Sequence, residues 1–272
     1  MGHVSVRGLR LVAGGRTLLE DVSFAAQPGE LVAIVGPNGV GKTTLLRAIA
    51  GLAKPDRGDV HVDGNDVHAL RARERARAVA LIGSDAESPY GMTVREVVAT
   101  GRYAFRPWWN WVENDADLDA ANAALEDVGL ADFGDRDFET LSSGERQRAW
   151  LALALAQNAR LVLLDEPTSH LDPRYALETI CSIRGIARAP VTALVVLHDL
   201  NEAATLADRI AVFGDGRLLA CAPPDAALDP AILERAYGIP FDRVNVNGAV
   251  RVLPRGYRST LVRDPYSGTT GT

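Results

Sequence analysis

The segment LVAIVGPNGVGKTTLLRAIAGL, residues 31–52, carries the strongest structural signal in the chain. It begins with five apolar residues, typical of a buried strand, and continues with GPNGVGKT at 36–43, which fits the pattern GxxxxGK[ST]. Leu45, Leu46 and Ile49 then lie on one face of a predicted helix. A strand, a glycine-rich loop and a helix in this order predict a phosphate-binding loop within an α/β protein.

The residue types of this loop suit phosphate chemistry. Backbone N–H groups of a glycine-rich loop can surround phosphates, the Lys42 ammonium can reach the β and γ phosphates, and the Thr43 hydroxyl can bind Mg²⁺. Lysine is rare in this chain, since Lys42 and Lys54 are the only two among 29 basic residues. Arginine's planar guanidinium cannot replace a compact ammonium in such a loop, so a lysine at this position strengthens the prediction.

A second motif, LVLLDEPTS at 161–169, places two carboxylates at the end of an apolar run. Asp165 is placed to hold Mg²⁺ through its water shell, and Glu166 to orient or deprotonate an attacking water molecule. Alone, this segment could be an ordinary transition from a strand to a turn. The phosphate-binding loop earlier in the chain favours the catalytic interpretation.

A third motif, LSSGERQR at 141–148, predicts the start of a helix. Free backbone N–H groups and the hydroxyl of Ser142 or Ser143 could bind an anion there. The alternative is a plain N-cap with the acidic Glu145 in the first turn.

The remaining patterns predict strands that alternate with helices, and therefore a mainly parallel sheet. VSVRGLRLV and TLLEDVSFAA, joined at Gly14-Gly15, predict an N-terminal antiparallel β region, and a helix-only stretch at 93–158 predicts an inserted helical subdomain. Further strands are predicted at 60–62, 79–82, 161–164, 191–197 and 210–213. We divide the chain into a nucleotide-binding domain at 1–240 and a short C-terminal hairpin, VNVNGAVRVLP, with its tail at 241–272; the helix PAILERAYG precedes the boundary.

Composition limits the classes of function. The chain has 272 residues, 47% hydrophobic and 24% charged, with a formal charge of -6, so no overall basic surface exists to bind nucleic acid. No apolar run approaches the roughly 18 to 20 residues that span a bilayer, and the N-terminus lacks a secretion signal, so we expect a cytoplasmic location. Cys181 and Cys221 lie far apart in the sequence, which argues against a disulfide framework or a thiolate metal site.

The motifs together resemble the nucleotide-binding subunits of ATP-binding cassette (ABC) transporters. They occur in the same order: the phosphate-binding loop, the signature LSSGE at 141–145, the strand ending in Asp165-Glu166, SHLD at 169–172, and His198 in VVLHDLNEA. The resemblance covers nearly the whole chain. GRYAFRPWW at 101–109, the stretch following His198 and the ending AYGIPFDRVNVNGAVRVLP look most like importers of iron chelates, haem or cobalamin.

The resemblance implies an ABC ATPase fold, with a P-loop NTPase core, in a subunit that hydrolyses ATP with Mg²⁺. Two copies would sandwich two ATP molecules as a homodimer, with a transmembrane permease as partner and, indirectly, an external substrate-binding protein. The subunit would lie peripherally on the cytoplasmic face of the inner membrane, without a nucleic-acid partner. Lys42, Glu166 and His198 would be catalytic, and Thr43 and Asp165 would bind Mg²⁺. The predicted ATP-binding residues are Gly36, Pro37, Asn38, Gly39, Val40, Gly41, Lys42, Thr43 and Thr44, and the signature residues that contact ATP of the partner are Ser142, Ser143, Gly144 and Glu145.

Three residues depart from the family pattern. Ala13 stands where the family stacks an aromatic side chain on adenine, so we expect loose discrimination between ATP and GTP unless another side chain, first of all Arg16, reads the base. The family's magnesium-loop glutamine is missing near residue 84, where Ser84 and Asp85 are candidate Mg²⁺ ligands and Glu87 a further substitute. Ser143 replaces a signature glycine, a small change.

Two alternative functions follow from these departures and from the family's diversity. One is an ATP-binding regulatory or scaffold subunit with weak hydrolysis, and the other is an ABC subunit for another cargo. A cassette protein of translation or DNA repair usually needs two cassettes or a long coiled coil, which 272 residues do not accommodate. Trp108, Trp109 and Trp111 cannot all point into one core, and the family resemblance places the permease-docking groove in this region, so we expect them to help form that surface. The alternative is that two of them are core residues and one covers a loop.

Overall fold

The computed structural model describes residues 2–83, 89–106, 114–169, 171–187, 191–246 and 248–255. The strands are β1 (Val4–Ala13), β2 (Arg16–Ala26), β3 (Leu31–Val35), β4 (Arg57–Val62), β5 (Asn65–Asp66), β6 (Val79–Ile82), β7 (Leu161–Asp165), β8 (Thr192–Val196), β9 (Arg209–Gly214), β10 (Arg217–Ala222), β11 (Phe241–Val246) and β12 (Ala249–Pro254). The α-helices are α1 (Lys42–Ile49), α2 (Ala72–Ala78), α3 (Val94–Ala99), α4 (Asp115–Asp127), α5 (Ser143–Ala156), α6 (Pro173–Ile186), α7 (Leu200–Leu206), α8 (Pro224–Ala227) and α9 (Pro230–Tyr237).

The described strands form three sheets: the two that the sequence predicts for the nucleotide-binding domain and the two-stranded hairpin of β11 and β12. An antiparallel sheet in the order β2-β1-β4-β5 comes from the N-terminal part, and its first two strands turn at Gly14-Gly15, where Ala13 pairs with Arg16. The larger sheet has the order β10-β9-β3-β8-β7-β6 and is parallel except for β10. The α/β class with a mainly parallel sheet is therefore confirmed.

Strand β3 lies inside the larger sheet, and both of its faces are covered. Leu31, Ala33 and Val35 pack into one hydrophobic cluster, while Val32 and Ile34 pack into a second one on the other face. All five side chains are fully buried. This explains why the strand reads as an unbroken apolar run rather than as an alternating one.

Helices α3, α4 and α5 form the helical region predicted at 93–158. Within the described part of that stretch no named strand occurs, and α3 continues as a 3-10 helix at Thr100–Phe105. Phe138 is fully buried, and its ring lies 5.0 Å from the ring of Trp150 on α5, measured between centroids. The three helices pack against one another around such side chains.

A buried ion pair ties this helical region together, and the sequence does not predict it. Arg106 Nε donates to Asp117 Oδ2 at 2.8 Å, with both side chains about 5% exposed or less. Arg106 also donates to the carbonyl of Ala99 at 3.3 Å and lies over the Tyr103 ring. The pair joins the segment after α3 to the first turn of α4.

The C-terminal elements pack onto the larger sheet's helices, and the predicted helix and hairpin are both confirmed. Asn201 on α7 donates to the carbonyl of Val252 and accepts from its N–H, at 3.1 and 2.9 Å. Val250 and Val252 of β12 are buried in the same cluster as Leu31 of β3. The domain boundary after residue 240 stays a prediction. Within the described ranges, every helix is too short or too polar to cross a bilayer.

Removing Asp117 should destabilise the protein because it leaves a buried guanidinium without its carboxylate. We expect Asp117→Ala to lower the free energy of unfolding by about 3 kcal/mol. Asp115→Ala is the matched control, because Asp115 lies two residues earlier in the exposed first turn of α4 and contributes only about 0.5 kcal/mol through the helix dipole. Urea unfolding followed by circular dichroism measures both, and equal losses for the two variants would contradict the structural role of the pair.

Candidate functional site

The phosphate-binding loop connects the end of β3 to the start of α1, and its glycines are required by the backbone. Gly41, the N-cap of α1, has φ of 107°. A Cβ on Gly36 would lie 2.6 Å from the carbonyl oxygen of Phe213 on β9, which is closer than atoms can approach. The loop therefore folds tightly against the edge of the sheet, leaving the N-terminal N–H groups of α1 without side-chain caps.

Lys42 points its ammonium back into this loop. Its Nζ donates to the carbonyl of Gly36 at 2.8 Å and to that of Pro37 at 3.1 Å, and the side chain is buried. Burial lowers the pKa of Lys42, while the negative charges of Glu166 and Asp165 oppose that decrease. A positive charge is thus held beside two carboxylates.

Asp165 stands at the end of β7, the strand two places from β3 in the sheet. Burial raises the pKa of its carboxyl group, and a hydrogen bond from the Thr43 hydroxyl opposes that increase. Its Oδ1 is buried and has no hydrogen-bond partner. An unsatisfied carboxylate oxygen beside a hydroxyl is a donor set of the kind that Mg²⁺ prefers, so Asp165 and Thr43 fit that ion.

The side chains of Glu166 and His198 are in direct contact. His198 Nε2 lies 2.5 Å from Glu166 Oε1, and the Ser169 hydroxyl donates to Glu166 Oε2 at 3.3 Å. The Glu166 backbone is in the left-handed region, with φ of 54°, and its N–H donates to the carbonyl of Val196 at 3.1 Å. The sequence predicts none of these three contacts, although the parallel neighbours β7 and β8 end at the same edge of the sheet.

These side chains meet around one cavity of about 470 Å³. The described residues that line it are Leu18, Asn38, Gly39, Gly41, Lys42, Thr43, Thr44, Glu166 and His198. The structure thus brings together the loop at 36–43, the carboxylate after β7 and the histidine after β8.

The comparison with known families agrees with this geometry. Residues 19–169 match the family model described as ABC transporter. The chain belongs to the ABC transporter family. Its larger sheet, glycine-rich loop and inserted helical region are the parts of this family's fold that the sequence resemblance implied.

Two relatives from this family align over almost the whole chain. The cobalamin import ATP-binding protein BtuD of Halobacterium salinarum is 39% identical over 264 residues, covering 96% of this chain but only 66% of that relative. The hemin import ATP-binding protein HmuV of Gloeobacter violaceus is 41% identical over 263 residues, covering 93% of this chain and 94% of that relative.

The solved structures support the fold. A metal-chelate type ABC transporter in an inward-facing conformation has a chain that matches with a TM-score of 0.81 at 22% identity, covering 93% of this chain and 98% of its own. The ABC ATPase fold is thereby confirmed.

The ABC signature residues are not part of the cavity within this single chain. Ser142 is the N-cap of α5 and forms a capping box with Glu145, whose N–H donates to the Ser142 hydroxyl at 3.3 Å. Hydrogen bonds from Ser142 lower the pKa of Glu145. None of the predicted signature residues, Ser142, Ser143, Gly144 and Glu145, lines the cavity described above. Both readings of the motif, a helix cap and a contact across a dimer, are compatible with this position.

Several predicted residues lie outside the described part of the chain. They are Ser84, Asp85 and Glu87 of the magnesium-loop segment, the three tryptophans at 108, 109 and 111, and His170 of SHLD. Ala13 is described, and it lies exposed at the turn between β1 and β2. Its methyl group offers no ring to a nucleotide base.

The buried carboxylate of Asp165 should destabilise the protein when no cation is present. We expect Asp165→Asn to raise the free energy of unfolding by about 1 kcal/mol, because an amide is easier to bury than a carboxylate and its oxygen can still accept from Thr43. Denaturant unfolding without nucleotide or divalent metal measures this difference. Asp172→Asn is the control, since Asp172 is an exposed N-cap where asparagine serves equally well. A loss of stability in Asp165→Asn would contradict the interpretation.

Proposed function

We propose that this chain is the ATP-hydrolysing subunit of an ABC importer. The convergence of Lys42, Glu166 and His198 on one cavity, with Asp165 hydrogen-bonded to Thr43 of its lining, carries this proposal. Its family membership and the import ATP-binding proteins among its relatives support the same activity. A regulatory subunit without hydrolysis would not need the side chains of Glu166 and His198 to be in contact.

In this function each side chain has a task that follows from its position. The N–H groups of the loop at 36–43 bind the phosphates, and the Lys42 ammonium adds positive charge at the same place. Mg²⁺, held by Thr43 and Asp165, would supply charge neutralisation on the phosphates. Glu166 orients the attacking water, and Glu166 is itself oriented by its contact with His198 and by the hydrogen bond from Ser169.

A second copy of the chain completes the site in our proposal. Ser142 and its neighbours can present free N–H groups at the start of α5 to an anion, but not to the cavity of their own chain. A sandwich of two copies brings the start of one α5 to the phosphates held by the other. A transmembrane permease, and through it an external substrate-binding protein, are the further partners, which gives the chain a peripheral position at the inner face of the membrane.

The cargo we propose is a metal chelate of the cobalamin, haem or iron-chelate type. Two relatives at 39% and 41% identity are named for cobalamin and hemin import. The chain itself contributes ATP hydrolysis, while the permease selects the cargo. Transport by the chain reconstituted with a permease in vesicles containing ATP tests the cargo.

Glu166→Gln should retain ATP binding while steady-state turnover falls about a hundredfold or more, because the amide cannot accept the proton of the attacking water. Phosphate release and equilibrium binding of a labelled ATP analogue measure the two quantities. Glu126→Gln is the control, since Glu126 is exposed on α4 far along the chain from the cavity residues.

Undiminished turnover in Glu166→Gln would remove Glu166 from the mechanism. Lys42→Ala should behave differently, because it removes a charge that acts on the bound ground state as well as the transition state. Its nucleotide affinity should therefore fall together with turnover.

The sandwich can be tested without disturbing the helix cap. Glu166→Gln should shift from monomer to dimer when Mg-ATP is added, because bound ATP is no longer consumed. Adding Ser142→Asp should abolish that shift, since aspartate still caps α5 but repels phosphates, whereas Ser142→Asn caps without charge and should preserve it. Sedimentation velocity gives the masses. No ATP-dependent dimer, even with permease present, would contradict the shared site.

A further inference from the structure

A second cavity, of about 310 Å³, adjoins the one that holds the phosphate-binding residues. Its described lining residues are Arg16, Thr17, Leu18, Pro37, Asn38, Gly39, Val40, Asp215 and Gly216. Leu18, Asn38 and Gly39 line both cavities, so the two share a wall. A molecule whose phosphates occupy the first cavity can therefore extend into the second.

Three segments that are far apart in the sequence form this second cavity. They are the start of β2, the phosphate-binding loop, and the turn between β9 and β10. The Glu20 N–H donates to the carbonyl of Gly216 at 2.8 Å, which fixes the turn against β2. Asp215 has φ of 50°, so its carboxylate is presented from a left-handed turn position.

The chemistry of the lining is unusual for a pocket beside a phosphate site. Leu18, Pro37 and Val40 supply apolar surface, and none of the described lining residues is aromatic. The side chains of Arg16 and Asp215 make no hydrogen bond or ion pair with any described residue. A guanidinium can stack on a flat ring, and an ionised carboxylate can only accept hydrogen bonds.

We propose that this cavity receives the base of the bound nucleotide, with Arg16 stacked on the ring and Asp215 accepting a hydrogen bond from an amino group of the base. The inference rests on the nucleotide function proposed above and names the residues that set its specificity. The ligand class is a nucleoside triphosphate whose base carries an exocyclic amino group. Arg16 thereby replaces the aromatic stacking that Ala13 cannot provide.

This arrangement discriminates by a functional group rather than by the whole base. Adenine and guanine each carry an amino N–H that can reach an acceptor, whereas hypoxanthine has none. ATP and GTP are therefore expected to bind with similar affinity. Purine has neither the amino group nor an N1–H and leaves the carboxylate desolvated without a donor, whereas hypoxanthine keeps only its N1–H, so both bind more weakly than the amino-bearing bases.

The first experiment compares matched nucleotides on the unmodified chain. Calorimetric titration compares the affinities of two pairs of nucleotides. ATP and purine riboside triphosphate differ only in the 6-amino group, and GTP and ITP differ only in the 2-amino group. In each pair we expect the amino-bearing nucleotide to bind about tenfold more tightly, the usual effect of one hydrogen bond to a charged group. Ratios near one in both pairs would overturn the proposal without any substitution.

Two variants then assign the roles. Asp215→Gly fits the left-handed backbone, removes the carboxylate and should bring both ratios to about one. Removing a negative charge near the phosphates raises the affinity of every nucleotide by the same factor, so this effect cancels in the affinity ratio of each pair. Asp21→Gly is the matched control, because Asp21 is also exposed with φ of 53° but does not line the cavity. Unchanged ratios in Asp215→Gly would exclude Asp215 as the acceptor.

Arg16→Ala should weaken every nucleotide by about three- to fivefold while leaving the ratios intact. Inorganic tripolyphosphate, which has no base, should lose less affinity than ATP does in Arg16→Ala, because only the general loss of a positive charge near the phosphates affects it. If tripolyphosphate and ATP both fail to bind the unmodified chain, the proposed function itself fails. If tripolyphosphate binds but the nucleotide ratios are flat, only the assignment of Arg16 and Asp215 fails. Should Asp215→Gly not fold, the unmodified ratios and Arg16→Ala decide the proposal.

Discussion

The Lys42 ammonium, bound by the carbonyl oxygens of Gly36 and Pro37, fixes the loop on which the rest of the site is built. A buried cation is unfavourable alone, and burial lowers its pKa. The carboxylates of Asp165 and Glu166 offset part of that penalty, just as Lys42 stabilises the ionised form of Asp165. Loop, lysine and carboxylates are therefore one electrostatic unit, in which the charge of Asp165 raises the pKa of Lys42 and the charge of Lys42 lowers the pKa of Asp165.

Strand order explains how this unit is assembled from distant parts of the chain. In the larger sheet β3, β8 and β7 are adjacent and parallel, so the residues that follow them emerge at one edge. The phosphate-binding loop follows β3, Glu166 follows β7 and His198 comes shortly after β8. More than a hundred residues separate the first of these segments from the second, yet their side chains line the same cavity.

Local signals in the sequence were sufficient for much of the architecture. Continuous apolar runs predicted β3 and β7, the spacing of Leu45, Leu46 and Ile49 predicted the buried face of α1, and the glycine-rich pattern predicted the loop between them. These features depend on neighbours a few residues away, which is the range over which a sequence pattern is informative.

Contacts between distant polar residues were not predictable in this way. Arg106 and Asp117 read as ordinary surface charges, because only the packing of α4 against the preceding segment buries them. The contact between His198 and Glu166 depends on two strands being neighbours in the sheet, and the placement of Asp215 beside the same cavity as Arg16 depends on a turn being fixed against β2. The role of His198 was predicted from the family resemblance, because a single histidine after an apolar run does not by itself indicate a function.

The division of β3 between two hydrophobic clusters also bears on how the protein tolerates sequence change. Leu31, Ala33 and Val35 share a core with the helical region and the C-terminal hairpin, whereas Val32 and Ile34 share one with the antiparallel sheet. A substitution on one face of β3 can therefore be compensated only by residues of the cluster on that face. The stability effects of substitutions in different clusters add where the substituted residues share no neighbours. The residues of the two clusters can therefore change independently during evolution, while β3 and the phosphate-binding loop that follows it keep their conformation.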